Sequence, residues 1–446
     1  MFHRNLSGFN GKHFLDYQDR AFFVNSSVKL TVLLESFLRR RSSWYNAFNG
    51  KDVTMSIRYV VIGAGRQGTA SAYELIAHGG ASQVILLDRD EEAAHEAASR
   101  VNNLTGSRIA EGHTIDARKR DDVEKVLEEM DGCLSALPYT HNLEITRAAI
   151  KTRTHMTDMG GNEKVVKDQL ALSEEAEKAG ISIIPDCGMG PGLTGSLAAY
   201  GIAMLDEAHD VYIWDGGLPQ DPTPPWHYRV TFHINGLTNE YDGEATFIRD
   251  SRLINIPTFT EYEKVNFPLL GELEAFVTSG GTSTAIRAFQ GKLRTYQNKT
   301  LRYPGHFEQF RAYRLLGLFD QNPVSLGGVR VVPRDFFHAL LEPKIRADEN
   351  FRDICLIRVL VRGLKDGRRH EFRAEIIDSY DDKTGFTSMQ RLTGWHAAVM
   401  LETAVQGKAK KGVNGLEDAV DPIPFMAEIK KRGIPVVDSL DVCKVP

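Results

Sequence analysis

A chain of 446 residues is too long for one core and calls for two or three domains, which rules out a minimal binding module. Its 54 Lys and Arg against 59 Asp and Glu leave a net charge of −5, which argues against an electrostatic footprint for nucleic acid or anionic lipid. The 42% of hydrophobic residues include no run approaching the roughly 18 to 20 that cross a bilayer, so the expected ligand is a small molecule, with no nucleic-acid or membrane partner.

Residues 1–54 carry eight Lys/Arg and four Asp/Glu, so this stretch stands at +4 and the remainder at −9. The composition changes at Met55, and Ser56 to Gly63 then starts a strand as a cytoplasmic α/β enzyme usually does. Three readings of the first 54 residues stay open: an upstream translation before a natural start at Met55, a targeting segment built on Arg39-Arg40-Arg41-Ser42-Ser43, and an extension that packs on a partner. Asp16, Asp19 and Glu35 weaken the targeting version, and Glu35 also interrupts the Leu30 to Leu38 run that a secretory signal would need.

From Arg58 the pattern is strand, glycine loop, helix: Tyr59-Val60-Val61-Ile62, then Gly63-Ala64-Gly65-Arg66-Gln67-Gly68, then a helical stretch through Ala77. Gly63 permits the tight turn, Gly65 lets backbone approach a pyrophosphate, and Gly68 lets helix and strand pack closely. The helix start offers unpaired N–H donors to phosphate. A second strand, Gln83 to Leu87, ends in Asp88, about 20 residues past the last glycine, where a carboxylate meets the ribose hydroxyls. Such a carboxylate repels a 2′-phosphate, so NAD is expected over NADP. Arg89 tempers this, since an arginine directly after the acid is either a solvated surface residue or a phosphate contact.

The alternation continues with a strand over Ser107 to Ile115 ending near Asp116, a helix over Asp121 to Met130 and a strand over Gly132 to Leu137. A helix over Asn142 to Lys151, a short strand over His155 to Thr157, one long helix over Glu163 to Ala179 and a strand over Ile181 to Ile184 complete a parallel, doubly wound Rossmann sheet. Ligands sit at the carboxyl ends of such strands, which selects Gly63 to Gly68, Asp88, Leu137-Pro138-Tyr139-Thr140-His141-Asn142 and Asp186 to Gly192. Further on, Val211 to Trp214, Arg229 to Ile234, Ile354 to Val361 and Arg369 to Ile377 alternate like strands of a half-solvated, largely antiparallel sheet. Asp221 to Pro225 is too rich in proline for anything but a loop.

Ser135-Ala136-Leu137-Pro138-Tyr139-Thr140, Asp158-Met159-Gly160-Gly161 and Asp186-Cys187-Gly188-Met189-Gly190-Pro191-Gly192 resemble the saccharopine dehydrogenase superfamily. Gly216-Gly217-Leu218-Pro219, Glu274 to Thr284 and Lys299 to His306 resemble its lysine 6-dehydrogenase and saccharopine reductase branches, the former more closely, and the resemblance runs from about Arg58 to Val437. It implies nicotinamide-dependent oxidation of a carbon–nitrogen bond at the ε end of lysine or of a lysine-derived secondary amine. In the lysine 6-dehydrogenase version the imine is hydrolysed to the semialdehyde with release of ammonia. It also implies a second α/β domain inserted in the chain and a C-terminal helix returning to the nucleotide-binding domain, for which Gly394 to Gln406 is suited. The expected division is residues 55–195 for the dinucleotide, 196–387 for substrate and oligomerisation, and 388–446 for the returning segment.

Hydride leaves carbon only from a neutral amine, so a group near the nicotinamide must take a proton from an ammonium of pKa about 10. Tyr139, Asp158 and His306 are the catalytic candidates, with bland alternatives in a turn hydrogen bond, a buried contact and a loop closure. His141 is more readily a helix-start residue, and Asp186 is either a cofactor contact beside Gly188 or a helix cap. Cofactor contacts are expected from Gly63, Gly65, Arg66, Gln67, Gly68, Asp88, Arg89, Asp116, Leu137 and Pro138. Arg302 is the expected grip on the substrate carboxylate, with Thr282, Ser283 and Thr284 supplying hydroxyls. Saccharopine would need a second cationic subsite, for which Arg287 and Arg294 are available in sequence. A nucleotide-binding protein without chemistry is the reading from another class.

No zinc-type spacing, serine-hydrolase elbow or P-loop occurs, and no metal site is expected. Cys133, Cys187, Cys355 and Cys443 are too widely spaced for a disulfide framework, which suits a reducing cytoplasm. A homo-oligomer, dimer or higher, is expected because an inserted open sheet needs a cover for its free face.

Overall fold

The computed structural model describes residues 56–231, 234–348 and 350–443. The three readings of residues 1–54 lie outside them.

The first half is a parallel sheet of β1 (Ile57–Ile62), β2 (Ala81–Asp88), β3 (Ala110–Thr114), β4 (Gly132–Ser135), β5 (His155–Asp158) and β6 (Ser182–Ile184). β1 is apolar and almost wholly buried, as a strand covered on both faces must be. Helix Glu91–Thr105 begins where the Asp90 side chain accepts from the Glu92 and Ala93 amides, and it ends where Gly106 takes a left-handed conformation. The single long helix expected over 163–179 is broken into Glu163–Leu170 and Ser173–Ala179, with Asn162 capping the first through its bond from the Val165 amide.

The second sheet contains β7 (Glu207–Pro219), β8 (Glu244–Arg249), β9 (Arg252–Pro257), β10 (Glu263–Phe267), β11 (Gly271–Phe276) and β12 (Thr295–Arg302). A separate hairpin, β13 (Val324–Leu326) and β14 (Val329–Val331), precedes the long pair β15 (Asp353–Lys365) and β16 (Arg368–Ser379). Last come β17 (Gly412–Val413) and β18 (Val436–Val442). The main path of the second sheet is β10-β11-β12-β7-β15-β16-β18, antiparallel except where β12 runs parallel to β7. Among the described residues of the stretch Arg229 to Ile234 the expected strand does not form. Val230 makes only an isolated bridge to Arg346, and Ile234 starts a short helix, Ile234–Glu240, packed in an aromatic cluster with Tyr241, Phe276 and Phe310.

The chain returns to the first domain as expected in direction and adds to it. Helix His396–Val405, buried on most of its circumference, packs against β4, β5 and β6, and β17 pairs parallel to β6. The nucleotide-binding sheet therefore reads β3-β2-β1-β4-β5-β6-β17. Arg432 secures this return: its guanidinium meets Glu74, Glu402 and Glu428 at 2.7, 2.5 and 2.8 Å, so a buried cation has a carboxylate on each nitrogen. Helix Thr194–Ala203 leads into the second domain and packs on β15 and β7, where a Cβ at Gly201 would lie 2.6 Å from the Phe372 ring.

Candidate active site

The strand order reverses between β1 and β4, and a crevice at such a switch point is where dinucleotides bind. Gly63 stands at φ +105° with the Ala136 carbonyl 2.7 Å from where a Cβ would lie, so only glycine makes this turn. A Cβ on Gly68 would sit 1.8 Å from the Gly63 carbonyl, whereas around Gly65 nothing approaches within 4 Å. The loop is thus closed on its protein side and open where a pyrophosphate approaches. Helix Arg66–Ala77 has no side-chain cap, and Gln67 Oε1 is buried without a hydrogen-bond partner among the described residues. These features fit a dinucleotide.

Asp88 is occupied in a way the sequence did not disclose. Its Oδ2 accepts from the Ala64 amide at 2.9 Å and its Oδ1 from the Asp90 amide at 3.1 Å, so the carboxylate braces the glycine loop. Arg89 is exposed and has no ion pair among the described residues. Arg66 points instead at the carbonyls of Ala347 and Asp348. Asp116 accepts from the Arg118 guanidinium at 2.9 Å, which holds its pKa down at about 2.

At the tips of β4, β5 and β6, the Tyr139 ring follows Pro138 and lies 3.4 Å from the position of a Cβ on Gly161. Leu137 lies against the glycine turn, its Cδ2 3.3 Å from the Gly63 Cβ position. Asp158 is fully buried and fully satisfied: Oδ1 accepts from the Gly160 and Asp186 amides at 2.8 and 3.2 Å, and Oδ2 from Gln169 at 2.7 Å. It shapes the turn and is sealed from the cleft by burial, with both oxygens engaged by protein donors. Asp186, at φ +61°, caps no helix; its Oδ2 accepts from the Ser283 hydroxyl of the second domain and its Oδ1 has no partner among the described residues. Burial, reinforced by the charge of Asp158, raises the Asp186 pKa to about 7. Gly188 opens the turn after β6, facing the Met159 carbonyl.

Ser283 is the one hydroxyl of its trio that reaches this tip. Thr282 donates to the Thr246 carbonyl at 2.9 Å and Thr284 to Glu417 at 2.8 Å, so both serve the packing of the turn. Below them, β7 and β12 run side by side and place Asp215 opposite Thr300. Asp215 accepts from Asn298 Nδ2 at 2.8 Å, and its Oδ2 faces Gly190, 2.7 Å from the Cβ position there. Burial raises its pKa to about 6 while Asn298 and Arg302 pull the other way.

Arg302 is buried at 4% exposure. Its Nε donates to Tyr241 Oη at 2.7 Å and its Nη1 to Thr300 Oγ1 and the Leu301 carbonyl at 2.9 and 2.8 Å, while the Tyr228 ring lies 5.0 Å from its Cζ. Only Nη2 remains open, with Glu240 Oε2 3.7 Å away. Glu240 ends helix Ile234–Glu240 with 40% of its side chain open to the cleft, and the protein crowding the carboxyl raises its pKa to about 7 against the pull of Arg302.

His306 does not reach this cleft. It is 2% exposed, stacks on Phe310 at 4.1 Å and takes part in a 2.9 Å hydrogen bond with Tyr241 Oη. Burial and the neighbouring Arg302 cation push its pKa well below the usual range, so it is an uncharged support for Tyr241. Asp215 and Glu240 were missed in the sequence. Asp215 had a signal, an acid after Val211-Tyr212-Ile213-Trp214 and directly before the glycine pair, whereas Glu240 had none, since its short helix, Ile234–Glu240, starts where the expected strand ended and was not read from the sequence.

A family profile described as the saccharopine dehydrogenase NADP binding domain matches residues 59–184, and one described as the saccharopine dehydrogenase C-terminal domain matches residues 188–434. Carboxyaminopropylagmatine dehydrogenase of Synechocystis sp. is 24% identical over 85% of this chain and 96% of its own. The NADP(+), L-glutamate-forming saccharopine dehydrogenase of Schizosaccharomyces pombe is 22% identical over 75% of this chain and 89% of its own, and carboxynorspermidine synthase of Vibrio alginolyticus is 22% identical over 76% and 85%. Among solved structures, apo L-Glu-forming saccharopine dehydrogenase from Saccharomyces cerevisiae shares the fold with a TM-score of 0.69 at 18% identity, over 87% of this chain and 100% of that one.

The match to an NADP-binding profile overturns the NAD preference read from Asp88. The hydrogen bonds just described agree with this: Asp88 is turned into the glycine loop, and Arg89 beside it is exposed with no ion pair among the described residues. The chain is an NAD(P)-dependent oxidoreductase acting on an amine or amino-acid substrate, and it belongs to the saccharopine dehydrogenase family.

Proposed function

We propose that this protein is an NADP-linked oxidoreductase acting on a secondary amine, one arm of which is an α-amino acid, as in the saccharopine dehydrogenase version of the reaction. The single observation that carries this reading is Asp215, an open carboxylate between the Gly190 turn and the Arg302 cation. The names of the three relatives support a secondary amine over the primary ε-amine of lysine: two name a carboxylated amine and the third is a saccharopine dehydrogenase that forms L-glutamate. Lysine deamination is therefore the second choice.

The residues divide the work as follows. Gly63 to Gly68 and the helix start hold the pyrophosphate, Arg89 meets the 2′-phosphate, and Tyr139 and Leu137 flank the nicotinamide side. Bound NADP(+) supplies the hydride acceptor. Asp215 takes the proton that frees the nitrogen lone pair, Arg302 Nη2 holds one carboxylate oxygen, and Asp186 with Ser283 joins the two halves over the site. Hydride leaves the carbon bearing nitrogen, a C=N bond forms, water adds, and the C–N bond breaks to a carbonyl compound and a free amine. The reverse direction condenses the two and consumes NADPH and one proton.

Among the described residues no helix is long and apolar enough to cross a membrane. Three of the four cysteines are buried and all are unpaired, which supports a reducing compartment. Self-association is supported by the β13–β14 hairpin, whose Val324, Leu326 and Val329 are 53%, 70% and 63% exposed, since two antiparallel copies of one edge strand satisfy a two-fold axis.

The test is absorbance at 340 nm with NADP(+) and NADPH, offering saccharopine, an N-(carboxyalkyl) diamine and lysine. Turnover of a secondary amine with an acid limb near pH 6, abolished in Asp215→Asn, is expected. Turnover of lysine alone would replace this reading with the primary-amine one.

A further inference from the structure

Arg302 keeps one nitrogen open, so whatever fixes the plane of its guanidinium decides where that nitrogen points. Nη1 is held by Thr300 Oγ1 and the Leu301 carbonyl, both on its own strand β12. A planar group held at one nitrogen alone still swings about it. The second point is Nε, which donates to Tyr241 Oη at 2.7 Å. With Nε and Nη1 both held the plane is set, and Nη2 has one direction, into the cleft. Without the bond at Nε, Nη2 would be free to close on Glu240 Oε2, 3.7 Å away, and a carboxylate of this chain would stand where the substrate's belongs.

The Tyr241 bond depends in turn on where the phenol sends its hydrogen. A guanidinium has donors and no acceptor, so Tyr241 Oη accepts from Nε and gives its own hydrogen elsewhere. Burial pushes the phenol pKa up to about 12, so the hydrogen stays on the oxygen. Tyr241 is wholly buried, with its ring against Phe259, Phe276 and Phe310, and among the described residues His306 Nε2, 2.9 Å from Oη, is the acceptor in reach. Nε2 must then be bare, with the one proton of the uncharged ring on Nδ1. The ring has no freedom to turn away. Glu274 accepts from the Gly305 and Phe307 amides on either side of His306 at 2.8 and 2.9 Å, and Phe310 stacks on the imidazole at 4.1 Å.

Resting on the reading above that Arg302 Nη2 grips a substrate carboxylate, we infer that Tyr241 and His306 are positioning residues for that grip: His306, as the Nδ1–H tautomer, takes the Tyr241 hydrogen and so turns the phenol oxygen to Arg302. Both are sealed beneath the cleft and act on the substrate only through the guanidinium. The glutamate that anchors the His306 turn, the imidazole, the phenol and the arginine form one line of contacts from β11 to β12.

The experiment measures binding of L-2-aminobutyrate and of its neutral carboxamide, L-2-aminobutyramide, to the NADP(+)-loaded full chain by calorimetry. Wild type should prefer the acid by at least about tenfold. Tyr241→Phe and His306→Leu should each weaken the acid about tenfold and leave the amide within about twofold, because only the carboxylate meets Nη2. His306→Gln, whose Oε1 offers an acceptor near the place of Nε2, should bind the acid within about threefold of wild type. Equal losses for acid and amide, an unchanged preference in Tyr241→Phe, or a His306→Gln variant as weak as His306→Leu overturns the inference. Should Tyr241→Phe or His306→Leu fold poorly, the 15N spectrum of the histidine-labelled wild type near neutral pH supplies the second measurement. The signals missing from His306→Gln should show a protonated Nδ1 and a bare Nε2; a proton on Nε2 overturns the inference. A wild type that binds acid and amide alike overturns instead the reading of Arg302 as the carboxylate grip, whatever the tautomer.

Discussion

Asp158 ends β5 and Asp186 follows the neighbouring β6 by two residues, and the two look alike in sequence, yet their oxygens meet different fates. Asp158 accepts three hydrogen bonds from fixed donors. Asp158→Asn turns an amide donor toward one of them, so a loss of about 1–3 kcal/mol is expected, seen as a lower thermal midpoint of the apo chain. The role proposed for Arg89 belongs to the same scale but concerns a ligand. Arg89→Ala should weaken NADPH by at least about tenfold and leave NADH nearly unchanged, measured by fluorescence titration, because a guanidinium–phosphate contact is lost only where the 2′-phosphate exists.

The glycine loop separates the needs of an element from the needs of a ligand. Gly68 has the Gly63 carbonyl 1.8 Å from its Cβ position and Gly65 has open space. Gly68→Ala is therefore expected to destabilise the apo protein, while Gly65→Ala should melt within a degree or two of wild type and lose NADPH affinity. Equal melting losses in both variants would place Gly65 in the packing as well. The strand expected over Arg229 to Ile234 failed at this scale for a physical reason: alternation of apolar residues over a few positions does not show that a partner strand lies alongside, and Val230 and Ile234 are buried instead in an aromatic cluster. The long helix expected over 163–179 is interrupted at Ala171 and Leu172, and only its first half has a side-chain cap, Asn162.

Across the whole molecule, buried acids set the response to pH. Asp186, Glu240 and Glu417 are raised to about 7, and Asp215 and Asp378 to about 6, each chiefly by burial. In the unfolded chain such groups ionise near pH 4, so between about pH 4 and 7 the folded state binds more protons and stability falls as pH rises. His306 and His396, both lowered by burial, oppose this below about pH 6.5, but they are outnumbered. The apo chain should melt higher at pH 5.5 than at pH 8, by calorimetry; a flat or rising profile would mean these acids reach solvent. At the same scale, Leu326→Asp in the exposed hairpin should lower the mass seen by light scattering without changing NADPH affinity, if copies of the chain meet there.

What the sequence determined by itself is the set of features that rest on local chemistry: the glycine loop and the parallel alternation of strand and helix. The tertiary structure decided the direction in which side chains were spent. Asp88 bends back to the amides of its own loop, His306 is sealed beneath Tyr241, and Asp215 and Glu240 converge on Arg302 from a strand and a helix 25 residues apart in the chain. A hydrogen-bond partner or a desolvated neighbour that distant leaves no local pattern, because its energy depends on where the chain folds back and not on which residue stands next to it.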